Sequence, residues 1–84
     1  MPRIMKNRKP VGTFIYDEKT RKFDLSTKDQ TIQRISKSVP GIKSKYDPEN
    51  DALVSYAVTL QPGDPDYAFH LLAFLATLGY QVEE

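Results

Sequence analysis

An 84-residue chain of 39% hydrophobic residues is enough for one domain and too little for two. It has no cysteine, which excludes disulfides, zinc–thiolate sites, thiol nucleophiles and iron–sulfur clusters. The net charge of +1 hides a segregation: residues 1–45 hold all twelve Lys and Arg against four acids, and residues 46–84 hold seven acids and no base. Such asymmetry marks an anion-binding face, head-to-tail self-association, or two halves that pair across one domain.

Residues 1–10 carry Arg3, Lys6, Arg8 and Lys9 among few apolar positions and end in Pro10. They read as a mobile basic arm without the apolar stretch of a secretory signal, so a single α+β domain is expected over 11–84. Residues 11–16, rich in β-branched and aromatic types, predict a strand. Residues 22–26 alternate, with Phe23 and Leu25 on one face, and predict its hairpin partner. A helix is expected over 27–38, capped by Ser26 or Thr27, with a narrow apolar stripe of Ile32, Ile35 and Val39. Pro40 and Gly41 stop it. Residues 42–46 alternate, 47–51 form a turn around Pro48, and 52–60 predict a strand whose Val54, Tyr56, Val58 and Leu60 face the core.

Gln61-Pro62-Gly63 breaks the chain, Asp64 caps a second helix over 65–78, Gly79 ends it, and 80–82 make a short strand. The second helix has an apolar arc about twice the ~100° of an ordinary surface helix. Asp66, His70, Ala73 and Thr77 form its one thin polar stripe, while Phe69 lies at one rim of the arc and Tyr67 and Phe74 at the other. The first helix, with three apolar positions, cannot cover both rims. At 67–78 the longest apolar run is interrupted by His70 and Thr77 and falls short of the ~20 residues of a membrane span. A soluble, cytoplasmic protein with no membrane partner is expected.

From Ile32 onward the chain resembles the heavy-metal-associated domain family of copper chaperones and transporter modules. The likeness rests on Ile32, on Val39-Pro40-Gly41-Ile42-Lys43-Ser44, on the Asp47-Pro48 turn, on the strand with Val54, Tyr56 and Val58, and on the closing Leu78-Gly79-Tyr80-Gln81-Val82-Glu83. It implies a ferredoxin-like two-layer βαββαβ sandwich, here with an extra N-terminal strand or hairpin. Either the hairpin of 11–16 with 22–26 is real and the C-terminal strand is displaced outward, or 11–17 is itself the first strand. The family's metal-binding Cys-x-x-Cys would fall at Leu25 and Lys28. An apolar side chain and an ammonium cannot replace the thiolates that select Cu(I), so the resemblance implies the fold without a metal or any other cofactor.

The remaining chemistry is thin. His70 with Asp66 lacks converging ligands. Asp47, Glu49 and Asp51 alternate like hard-cation ligands but lack the central Gly and closing Glu of an EF-hand. Four scattered glycines make no phosphate loop, and no Ser or Thr has a paired base. The expectation is therefore a non-enzymatic protein-interaction or self-association module, a homo-oligomer or a partner's dock, using Tyr67, Phe69 and Phe74. The alternative is a nucleic-acid-binding module in which Arg3, Lys6, Arg8, Lys9, Lys43 and Lys45 meet phosphate and Phe14, Tyr16 and Tyr46 stack on bases. A third reading is a degenerate metal-chaperone-like domain that binds no metal.

Overall fold

A computed structural model describes residues 2–58 and 60–83. Met1, Thr59 and Glu84, which fall in the expected arm, in the strand over 52–60 and beside the C-terminal strand, lie outside the described residues. The elements are β1 (Arg3–Lys6), β2 (Lys9–Asp17), β3 (Lys22–Thr27), α1 (Gln30–Ser38), β4 (Ile42–Asp47), β5 (Ala52–Ala57), α2 (Tyr67–Thr77) and β6 (Gln81–Glu83). All six strands form one sheet in the order β4-β5-β3-β2-β1-β6, and every neighbouring pair is antiparallel.

The expected ferredoxin-like sandwich is corrected by this order. In that fold the C-terminal strand would lie beside β3. Here β2 takes that edge of β3 through six residue pairs, from Gly12–Thr27 to Asp17–Lys22, so β6 is displaced outward and closes on β1. Residues 3–10, expected within the mobile arm, belong largely to the β1–β2 hairpin. Ile4 is fully buried, and Asn7 and Arg8 take φ of 53° and 66° to close the two-residue turn between Lys6 and Lys9.

Both helices cover one face of the sheet. The core joins Ile4, Phe14, Phe23, Leu25, Ile42 and Tyr80 to Ile32 of α1 and to Ala68, Leu71 and Leu75 of α2. Phe14 stacks on Phe23 with ring centres 5.7 Å apart. On β5, the face is the reverse of the one expected. Leu53, Ser55 and Ala57 are in register with the inward residues Thr27, Leu25 and Ile42, whereas Val54 and Tyr56 share the open face with Ser26 and Asp24. The buried polar centre of the inward row is the Ser44–Ser55 hydroxyl pair, 2.9 Å apart.

The helix starts shift for local reasons. The Thr27 hydroxyl donates to the Val11 carbonyl at 2.6 Å and accepts from the Asp29 amide at 2.9 Å, which keeps Thr27 in β3. Asp29 therefore caps α1, accepting from the Ile32 amide at 3.0 Å. Residues 61–64 form a Pro-Gly turn closed by Asp64 N–H to Gln61 C=O at 3.0 Å, so the cap of α2 moves from Asp64 to Asp66. Gly79, at φ +91°, ends α2 in a Schellman motif: the Tyr80 amide donates to Leu75 C=O and the Gly79 amide to Ala76 C=O.

Candidate functional site

The ends of α2 are pinned by the strands beneath it. At its start the Tyr16 hydroxyl donates to Asp66 Oδ2 at 2.7 Å, while Asp66 Oδ1 accepts from the Phe69 amide at 3.1 Å. The Tyr16 phenol is held above its ordinary pKa, first by that hydrogen bond to the Asp66 carboxylate and then by burial. The Arg21 guanidinium donates to the Asp64 and Gln61 carbonyls at 2.7 and 3.3 Å and fixes the preceding turn. At the far end the Lys6 ammonium donates to the Leu78 carbonyl at 3.0 Å and lies 4.5 Å from the centre of the Tyr80 ring. A cation there suits the negative end of the helix.

Held this way, α2 buries Ala68, Leu71 and Leu75, packs Tyr67 and Leu72 partly against the core, and leaves its other side chains exposed. Phe69 is 68% exposed and Phe74 54%, on opposite flanks of the helix, and Leu78 and Val82 are exposed as well. The Phe69 ring meets His70 edge-on at 6.2 Å. No Asp, Glu, Lys or Arg occurs from Tyr67 to Val82. Exposed aromatics on both flanks of a helix that carries no charge form a surface suited to docking. Tyr67 is the exception among the three expected interface residues. It is half-buried, packs on the core and lies over Gly41, so it does not belong to the exposed rim.

The open face of the sheet is larger but differently made. One row across four strands reads Ile15, Asp24, Tyr56, Lys43, and the next reads Thr13, Ser26, Val54, Lys45. Charged or hydroxyl side chains separate its apolar ones, as on a solvated sheet face.

The basic residues of the nucleic-acid alternative are not gathered. Arg8 and Lys9 stand at the β1–β2 turn, Arg3 is in register with Glu83, and Lys6 is committed to Leu78 and Tyr80. Lys43 and Lys45 lie on β4, four strand spacings or about 19 Å from β1. Of the expected stacking residues, Phe14 is core, Tyr16 is turned to Asp66, and the Tyr46 hydroxyl donates to Asp51 at 2.6 Å. Tyr56, which sequence reasoning placed in the core, is the aromatic on the open face.

Metal-type candidates resolve into local structure. Leu25 is fully buried and Lys28 exposed. Both carboxylate oxygens of Asp66 accept bonds from groups other than His70. Asp47 accepts from the Asn50 side chain and the Glu49 amide. These bonds, Asn50 foremost, hold its carboxyl below the usual range against an opposing effect of burial. Among the described residues, no three His, Cys, Asp or Glu side chains are placed to hold a metal ion, and no helix is long and apolar enough to cross a membrane.

Comparison with family models, curated proteins and solved structures finds no match to this chain.

Sequence reasoning missed Leu78, Val82 and Lys6 as members or neighbours of the patch. Leu78 was legible as part of the wide arc. Lys6 was not, because its role depends on β1 existing.

Proposed function

We propose that this chain is a soluble, cytoplasmic, non-enzymatic interaction module that docks protein through the outer face of α2. The observation that carries the reading is the exposure of Phe69 and Phe74, 68% and 54%, on a helix pinned at both ends and free of charged side chains. A helix needed only for packing would carry polar residues at these positions, since a stripe of ~100° suffices for the core. The pinning fits the same reading: a preorganised surface loses less entropy on docking than a frayed one.

Phe69→Asp and Phe74→Asp test it. Both side chains are more than half exposed, so each variant keeps the circular dichroism of the wild type. Each should remove the association that the wild type shows by sedimentation, alone or in the soluble extract of its host. A wild type that stays monomeric at millimolar concentration, and whose sedimentation in extract neither substitution changes, would sink the reading.

A further inference from the structure

The outer face of α2 carries both a knob and a hole. At ~100° per residue, Phe69, Ala73 and Ala76 fall on one stripe, at spacings i, i+4 and i+7, and all three are exposed. Phe69 is the knob. The hole is a groove of about 320 Å³ between α2 and β6, lined chiefly by Ile4, Leu72, Ala76, Tyr80 and Val82, with Gln81 its one amide side chain. Knob and hole lie two turns apart on the same flank of one helix. Two such helices satisfy each other when they run antiparallel, because the two-fold axis brings each Phe69 over the other copy's Ala76.

That steric register makes an electrostatic prediction of its own. With Phe69 opposite Ala76, Ala73 lies beside the axis and Asp66 comes opposite Gly79 of the other copy. Gly79 adjoins Leu78, whose carbonyl holds the Lys6 ammonium. Each end of the contact then brings the Asp66 carboxylate toward the turn that carries the Lys6 ammonium, and the two helix dipoles oppose. A parallel arrangement would set Phe69 on Phe69, Asp66 on Asp66 and Lys6 on Lys6. Steric fit and charge select the same arrangement.

We infer that the occupant of the α2 face is a second copy of this chain, docked antiparallel across a two-fold axis with Phe69 of each seated in the groove beside Ala76 of the other. This rests on the docking reading above. A helix of eleven residues offers a face of about 16 by 10 Å, far below the ~800 Å² per partner of a standard interface. The dimer is therefore weak and forms at high protein concentration.

The chain contains no cysteine, so single-cysteine variants report geometry cleanly. Sedimentation at rising concentration should show a monomer–dimer equilibrium, weakened at least tenfold by Phe69→Asp, which removes the knob, and by Ala76→Tyr, which fills the hole. Ala73→Cys should cross-link to itself under mild oxidation, and Thr77→Cys should not, because in this register the two Thr77 positions stand about 13 Å apart along the axis. A dimer that survives Phe69→Asp overturns this inference, and one that survives Phe74→Asp as well overturns the docking reading with it. A dimer lost with Phe69→Asp, but indifferent to Ala76→Tyr and cross-linking at Thr77→Cys, overturns the antiparallel arrangement alone. A monomer at millimolar concentration overturns the second copy and leaves the docking reading to the extract experiment.

Discussion

The ring of Tyr67 occupies the place where a side chain on residue 41 would begin: a Cβ built on Gly41 would overlap Tyr67 Cζ. The turn that ends α1 and the first residue of α2 are thus fitted to each other. Gly41 serves twice, since its φ of +89° completes the Val39–Ile42 turn, closed by Ile42 N–H to Val39 C=O at 3.2 Å, behind Pro40.

Gly41→Ala should destabilise the protein by about 2–4 kcal/mol, combining the cost of a left-handed φ with that of displacing an aromatic ring. Chemical denaturation measures it. In a Tyr67→Ala background, which carries its own loss of packing, Gly41→Ala should add only about 1–2 kcal/mol. Additive losses would mean that the ring and the turn do not meet.

The Tyr16–Asp66 bond predicts a response to alkaline pH. The folded phenol titrates above its ordinary value of 10.0, so its contribution is fully present below pH 10 and is lost as pH rises through the raised folded value. Tyr46 and Tyr80 are shifted the same way, the first chiefly by its bond to Asp51 and the second chiefly by burial, so Tyr16→Phe should flatten the alkaline loss without abolishing it. Melting curves from pH 8 to 11 on both proteins decide the point. Parallel curves would remove Tyr16 from the account.

The register of β5 separates two substitutions that the sequence makes look equivalent. Leu25→Ala empties a fully buried site and should cost about 2–5 kcal/mol. Tyr56→Thr, on the open face, should cost about 1 kcal/mol or less. Comparable losses from the two would place Tyr56 in the core after all.

That register shows where sequence reasoning holds and where it stops. The wide arc of α2 was legible because helical spacing shows directly which positions one stripe of core cannot absorb; Phe69 and Phe74 are where that excess surfaces. The Pro40-Gly41 stop was legible because its turn chemistry is local. On β5 Val54 and Tyr56 point to the open face, while the inward set is Leu53 with the small Ser55 and Ala57, where α1 packs on the strand. Apolar size alone picks the wrong face. β1 was missed because Arg3, Lys6, Arg8 and Lys9 mask a single deeply buried Ile4, and because Asn7-Arg8 closes its turn without the usual glycine. The outward displacement of β6 was one of the two alternatives the hairpin left open, but its seat on β1 could not be placed without β1.

The pairing of β1 with β6 has a kinetic consequence. Ile4 meets Val82 across that ladder, the widest sequence separation in the sheet. Loops of such length close slowly, so this is the ladder expected to form late in folding, after the local β1–β2 and β4–β5 hairpins. During synthesis residues 3–6 emerge long before residues 81–83. Throughout that interval β1 presents an open edge with Ile4 unburied, a ready template for another nascent chain. The lysine and arginine that flank Ile4 supply mutual repulsion between such edges at that stage, when β6 has yet to cover them.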